Sequence, residues 1–167
     1  QAVRSIYDID VEQLKKQGIK GIITDLDNTL VGAKVPDTTP ELEQWLSDLR
    51  KQGFRLVIAS NNSRERVKNF AEPLGIRFIH RAKKPFKHPY RKAISMMDLK
   101  PEEVAVVGDQ LLTDIFGGNR MGMYTILVEA ISPDTESLAT RINRKIERLV
   151  YGVLYRSGRF PRTGGSA

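Results

Sequence analysis

Four short stretches of this sequence carry side chains whose types and spacing suit phosphate and metal chemistry. Asp25-Leu26-Asp27-Asn28-Thr29 sets two carboxylates two residues apart. Ser60-Asn61 offers a hydroxyl and an amide, Lys84-Pro85 an ammonium, and Gly108-Asp109 with Asp114 a second pair of carboxylates. An aspartate is ionised at neutral pH and can attack phosphorus without a base to deprotonate it. A carboxylate beside a leaving group can move protons, and hydroxyl and ammonium groups stabilise charge as it develops on a phosphoryl group. Carboxylate oxygens are also the ligands that a hard cation such as Mg²⁺ takes.

Such residues need a scaffold that gathers them, and the intervening hydrophobic pattern supplies one. Short apolar runs alternate with helical patterns, which is the signature of a parallel α/β sheet. Strands are expected at 21–26, 54–59, 77–80, 104–107 and 124–128. Thr39 and Pro40 read as the N-cap and first position of a helix in which Leu42, Trp45, Leu46 and Leu49 share a face and Gly53 marks the stop. A second helix turns Val67, Phe70, Ala71 and Leu74 inward, with Pro73 weakening its last turn and Gly75 closing it. Pro89 is expected to open a third helix carrying Ala93, Ile94 and Met97, and a fourth should run over about 113–121. The expected architecture is α/β: a three-layer sandwich around a five-stranded parallel sheet. Ligands bind at the carboxyl ends of the strands in such sheets. The candidate residues follow strand ends, with Lys84 between the third and fourth. Alternation along a strand should carry Asp27 to the same side as Asp25.

The bulk numbers fit this picture. At 167 residues the chain suits one domain, expected over 1–160, with 161–167 as a flexible tail. Hydrophobic residues make up 40% and charged residues 28%, as in a folded domain rather than a disordered tail. Cysteine is absent, which excludes disulfides and cysteine-bound zinc. No apolar run approaches the roughly 18 residues of a membrane-spanning helix. A cytoplasmic location is expected, although the chain opens on Gln1 rather than methionine, which leaves its natural start open. Most of the net charge of +7 sits late, since residues 136–162 hold seven basic side chains against two acidic ones. Such a patch suits an anionic partner.

Taken together, the four stretches resemble the motifs of the haloacid dehalogenase superfamily in order and spacing. DxDx(T/V) matches Asp25, Asp27 and Thr29; a serine after a hydrophobic strand matches Ser60; Lys-Pro matches Lys84-Pro85; and GDxxxTD matches Gly108, Asp109, Thr113 and Asp114. The resemblance implies a Rossmann-like fold and an aspartyl-phosphate formed on Asp25, with Asp27 as acid and base. It implies that Ser60 and the backbone around Asn61 bind the phosphoryl oxygens while Lys84 neutralises nucleophile and phosphate. It also implies Mg²⁺ held by the Asp25 side chain, the Asp27 carbonyl, Asp109, and Asp114 directly or through water. Asp114 could instead be a helix N-cap. Lys83 competes with Lys84, which the following proline favours. His80 and His88 read as a strand end and a helix cap.

Neither interval between the first three motifs has room for a cap domain, so the site should be open and suit a phosphate presented by a large body. A narrower resemblance rests on SIYDIDVEQLKKQGIKGIITDLDNTLV, ASNN, AKKP and GDQLLTDIFGGNRMGMYTILV. These are similar to the class IIIA, YqeG-type branch, which includes the mitochondrial-type phosphatidylglycerophosphate phosphatases. That implies release of the terminal phosphate from an anionic phospholipid. A basic amphipathic helix is expected over about 134–157, with Leu138, Ile142, Ile146, Leu149 and Val153 as its apolar stripe, and it would suit peripheral binding at the inner face of the cell membrane. Ile6, Tyr7, Ile9 and Leu14 read as packing. No nucleic-acid partner is expected. The competing readings are a capless phosphatase acting on phosphoprotein or nucleic-acid phosphate, and a non-enzymatic basic binding module.

Overall fold

Alternation along the strands sets the layers. In the computed structural model, which describes residues 1–132, Ile22 packs with Leu56, Ile58, Ala105 and Val107 in one buried cluster. Its neighbour Ile23 joins Val57, Ala59, Val104 and Val106 in another. The strands that carry these residues are therefore covered on both faces, as parallel strands must be. They are β2 (Gly21–Thr24), β3 (Arg55–Ala59) and β5 (Val104–Gly108), and β1 (Ala2–Val3), β4 (Arg77–Ile79) and β6 (Tyr124–Val128) complete the sheet. The order is β1-β6-β5-β2-β3-β4, and every pairing is parallel.

Helices α1 (Val11–Lys16), α2 (Pro40–Lys51) and α3 (Arg64–Ala71) bring Leu14, Leu42, Leu46, Leu49, Val67 and Phe70 to the first cluster. On the other face α4 (Lys87–Met97) supplies Tyr90, Ala93 and Met97. This is the three-layer sandwich that the periodicity predicts. The capping signals of α2 also hold: Thr39 accepts the Leu42 N–H, Pro40 opens the helix, and acidic residues fill its first turn and basic ones its last. Gly53 and Gly75, at φ 90° and 61°, make the turns into β3 and β4. Ile6, Ile9 and Leu14 are buried, so the N-terminal segment is packing, and the edge of Tyr7 meets Trp45.

Several boundaries differ from expectation. The sheet has six strands rather than five, because Ala2 and Val3 pair with Leu127 and Val128 at the edge. Two residues are too few to show alternation in a sequence. The first central strand ends at Thr24 rather than Leu26, since the Leu26 carbonyl accepts N–H groups from Thr29, Leu30 and Val31 and turns the chain. Helix α4 begins two residues before Pro89. A proline is tolerated there because the first four N–H groups of a helix have no partner inside it. The expected helix over 113–121 is a π-helical turn at Leu111–Ile115 followed by α5 (Phe116–Asn119). Loop, α2 and β3 fill the interval from Thr29 to Ser60, and α3 and β4 fill that from Ser60 to Lys84, so no cap interrupts either. Among the described residues no helix is long and apolar enough to cross a membrane. The basic helix expected at about 134–157 and the tail at 161–167 lie outside them.

Close packing of α4 on α5 makes Gly117 the tightest point of the second layer. A Cβ there would strike the Tyr90 hydroxyl and stand 2.6 Å from its ring Cε2, and Tyr90 is fully buried. Gly117→Ala should lower stability by about 1–3 kcal/mol, the usual cost of overpacking. The urea midpoint of the variant measures this.

Candidate active site

The topological switch of the sheet lies between β2 and β5, because the chain leaves β2 toward β3 and β4 and later returns on its other side. The carboxyl ends of β2, β3 and β5 are therefore neighbours, and they deliver Asp25, Ser60 and Asp109 to one crevice. The Asp25 N–H donates to the Val107 carbonyl at 2.9 Å, which pins the first carboxylate beside the end of β5.

Lys84 sits at the centre. Its Nζ lies 2.8 Å from Asp25 Oδ1 and 2.6 Å from Asp114 Oδ1, and its side chain is 3% exposed. The loop that carries it is held from β3, since Asn61 Oδ1 accepts the Lys84 N–H at 2.8 Å. The Lys84–Pro85 peptide is cis, and Lys83 is exposed. Of the two adjacent lysines it is therefore Lys84 that enters the crevice. Burial pulls the Lys84 ammonium down, but Asp114 and Asp25 outweigh burial and hold it well above the usual lysine range. Burial pushes the Asp114 carboxyl up, against the pull of Lys84. Asp114 is not an N-cap: it lies within the π-helical turn, and its Oδ2 accepts the Gln110 N–H at 3.2 Å. Gly108 makes room for it, as a Cβ there would strike the Asp114 carboxylate.

The residues fit a divalent cation. One ligand oxygen from each of Asp25, Asp109 and Asp114 lies within 4.8 Å of the others, and all three residues are buried. Thr29 donates to Asp109 Oδ1 at 3.0 Å. Among the described residues Lys84 is the buried basic side chain. Three buried carboxylates gathered at one point offer oxygen ligands. They are the ligand type that a hard dication prefers.

Asp27 reaches the mouth by a different route from the one expected. It lies beyond the end of β2, in the turn whose next residue, Asn28, has φ 64°, so strand alternation does not orient it. Side chains from the start of α3 do. Arg66 donates from Nε at 3.2 Å and Nη2 at 3.0 Å to Asp27 Oδ1, and Asn62 Nδ2 donates to Oδ2 at 2.9 Å. The Ser63 N–H donates to Asn62 Oδ1 at 2.7 Å, which fixes the direction of the amide. A carboxylate offers about four acceptor sites. Three are filled, and the one left on Oδ2 is where a proton can reside. Burial raises Asp27 above the usual carboxyl range, with Asn62 and Arg66 opposing it.

Ser60 is buried, and its hydroxyl oxygen accepts the Asn62 N–H at 3.1 Å, leaving its own proton to donate. The Asn61 side chain supports Lys84, which adds a positioning contact to the phosphate role expected of its backbone. His80 follows β4 and His88 is exposed in the first turn of α4; neither joins the carboxylate cluster. The sequence reading missed Arg66 and Asn62. Their signal was position, because the first turn of a helix that follows a site strand lies at the same edge as the site.

A cavity of about 470 Å³ adjoins the loop after Asp27. It is lined by Ile6, Tyr7, Leu30, Val31, Val35 and Ile131, with Thr29, Arg4, Glu41 and Glu129 among its polar lining. None of the clustered carboxylates lines it.

Comparison with known proteins agrees with this geometry. Residues 33–122 match the family described as haloacid dehalogenase-like hydrolase, a span that takes in Ser60, Lys84, Asp109 and Asp114. The chain is 47% identical over 156 residues to "Probable phosphatase YqeG" of Bacillus subtilis (strain 168), covering 93% of this chain and 90% of that one. It is 31% identical to "Phosphatidylglycerophosphate phosphatase 1, chloroplastic/mitochondrial" of Arabidopsis thaliana, over 87% of this chain and 44% of that one. Among solved structures, the 3-deoxy-D-manno-octulosonate 8-phosphate phosphatase of Yersinia pestis shares the fold at TM-score 0.55 and 16% identity, over 74% of this chain and 71% of that one. The cobalt-bound deoxy-D-mannose-octulosonate 8-phosphate phosphatase of Haemophilus influenzae does so at TM-score 0.54 and 13% identity, over 87% and 95%.

The carboxylate cluster generates a measurement that needs no substrate. A divalent cation at about 100 times its Kd should stabilise the fold by about 2.7 kcal/mol, because it binds the folded chain and not the unfolded one. Melting with Mg²⁺ against chelator should show that shift. Asp109→Asn should lose most of it.

Proposed function

The chain belongs to the haloacid dehalogenase-like hydrolase family, and from that premise we propose that it is a Mg²⁺-dependent phosphatase that removes the terminal phosphate of phosphatidylglycerophosphate. The observation that carries the phosphatase reading is the Lys84 ammonium 2.8 Å from Asp25 Oδ1, at the switch point of the sheet. A carboxylate attacking a phosphate dianion meets repulsion, and a buried fixed cation beside it lowers that barrier without reorganising. In this reading an Asp25 oxygen bonds to phosphorus as the ester P–O bond breaks. Asp27 gives the proton on Oδ2 to the leaving oxygen, so the products of this step are an alcohol and an aspartyl-phosphate. Asp27 then takes a proton from the water that cleaves the intermediate, which frees phosphate and restores Asp25. Ser60 and the backbone N–H groups near Asn61 hold the phosphoryl oxygens. Asp25, the Asp27 carbonyl, Asp109 and Asp114 would hold the Mg²⁺, which offsets phosphoryl charge when bound.

The lipid reading has its own support. Relatives named as phosphatidylglycerophosphate phosphatases match over 87% of this chain, which spans 44% and 58% of their lengths. The intervals that would hold a cap contain only a short loop and core sheet and helix, so a headgroup can approach while its acyl chains stay in a membrane. The apolar cavity beside the Asp27 loop suits a substrate with apolar parts.

Asp25→Asn should retain the fold and keep less than about one per cent of the activity, since an amide does not attack phosphorus. Phosphate release from phosphatidylglycerophosphate should exceed that from phosphopeptides and 3′-phosphorylated oligonucleotides. A panel in which either of those wins overturns the lipid assignment and leaves the phosphatase. Ca²⁺ should substitute poorly for Mg²⁺, because it takes more ligands at longer distances.

The contacts on Asp27 give a second prediction. Arg66→Met keeps an unbranched stem but removes two of the three hydrogen bonds that orient the carboxyl. An alkyl phosphate needs its leaving oxygen protonated, whereas 4-nitrophenyl phosphate does not. On kcat/KM, which reports the first chemical step, the loss should be about 100-fold for the alkyl ester and at least tenfold smaller for the nitrophenyl ester. Equal losses on both esters would mean that Arg66 only supports the fold.

A further inference from the structure

Two phenylalanines stand exposed where a soluble fold has no use for them. Phe86 is 65% exposed and Phe116 is 50% exposed. Each lies two residues beyond a member of the central ion pair, Phe86 after Lys84 and Phe116 after Asp114, whose side chains meet at 2.6 Å. The packing beneath them fixes both at this edge. Tyr90, one turn along α4 from Phe86, donates to the Thr113 carbonyl at 2.7 Å and fills the space over Gly117, next to Phe116. Both exposed residues are therefore tied through Tyr90 and the Lys84–Asp114 pair to the end of the sheet that carries the site.

Outside the buried carboxylates, the charges flanking both rings in the chain are basic. Residues 80–97 contain six basic side chains and no acidic one, and residues 115–123 contain Arg120 and no acidic one. Arg81, Lys83, Lys87 and Arg120 are exposed, and the Arg120 guanidinium lies 5.4 Å from the centroid of the Phe116 ring. Aromatic rings with a basic fringe match a surface that is negative at its headgroups and apolar just below them. A protein partner would need a matching acidic rim around a pocket for each ring, whereas an anionic bilayer offers both properties everywhere.

We infer that Phe86 and Phe116, with Lys83, Lys87 and Arg120 around them, dock the mouth of the site onto an anionic lipid bilayer; the choice of partner rests on the lipid reading above. The rings enter the headgroup layer, the basic residues meet phosphate oxygens, and the crevice holding Asp25 faces the membrane plane.

The test uses the full chain and vesicles of phosphatidylcholine with or without phosphatidylglycerol. The protein should float with the anionic vesicles and less so as salt rises. Phe86→Ser with Phe116→Ser should weaken that binding about tenfold or more, since each ring is the apolar part that leaves water. Lys83→Glu with Lys87→Glu should abolish the preference for anionic vesicles. Turnover of 4-nitrophenyl phosphate in solution should stay the same in both double variants. Phe86→Trp should keep binding, and its emission should shift to the blue on vesicles above the constant signal of Trp45. A wild-type chain that does not float, or a serine variant that floats as well as wild type, overturns the inference. So does a serine variant that loses soluble turnover while Phe86→Trp shows no shift, and so does one that changes only the oligomeric state. If the rim binds vesicles but phosphatidylglycerophosphate is not hydrolysed, the docking surface stands and the substrate assignment falls. Hydrolysis of that lipid with vesicle binding unaffected by the serine changes leaves the substrate standing and removes the rim.

Discussion

A buried ammonium shared by two carboxylates governs this molecule. Neither Lys84 nor Asp114 could stay charged at such depth alone, because desolvation of an isolated ion costs several kcal/mol after relaxation. Together with Asp25 they form a unit in which losing Lys84 would leave two buried carboxylates without their shared cation. The rest of the fold reads as provision for it. The cis loop held by Asn61 delivers the lysine from the β4–α4 connection. The π-helical turn, with Gly108 lacking a side chain beneath it, delivers Asp114. The turn that ends β2 early delivers Asp25. Three separate connections must be in register before the charges can meet.

Beside the ammonium, Asp25, Asp109 and Asp114 gather oxygen ligands of the kind a dication takes. Asp27 stands apart from this cluster, nearer solvent and tied to α3 rather than to Lys84. The two aspartates of one motif thus occupy environments of opposite character. Asp25 lies 2.8 Å from the fixed Lys84 ammonium, while burial favours protonation of Asp27. Two side chains of one type are thus set apart by their surroundings.

Much of this was legible in the sequence, and the parts that were not share a cause. The central strands and the buried face of α2 follow from local periodicity and capping, so 104–107 and 124–128 were readable almost to the residue. Lys84 could be preferred to Lys83 because proline marks the special backbone there. The edge strand at Ala2–Val3 has no internal pattern, since its pairing with β6 spans more than 120 residues. The early end of β2 depends on one carbonyl collecting three N–H groups, and Leu26 looks as strand-like as Ile23. Arg66 was hard to single out for a similar reason. Its place in the first turn of α3 put it at the site edge, but it sits among Arg64, Glu65 and Lys68 as one charge in a run, and only its contact with Asp27 separates it from them.

The two poles of the sheet are built to different standards. At the pole opposite the crevice, the tight turns before β3 and β4 are made by Gly53 and Gly75, and nothing lies within 4 Å of where a side chain on either would begin. At the crevice pole, Gly108 and Gly117 are already pressed against Asp114 and Tyr90. These two turns therefore have open space around them, whereas Gly108 and Gly117 have none. A peptide tag, fluorophore or surface tether grafted at 52–53 or 74–75 would hang from the far side of the barrel of helices and sheet. The protein could then be anchored to a support with its working face turned outward, and the chain could be reopened there without touching the machinery.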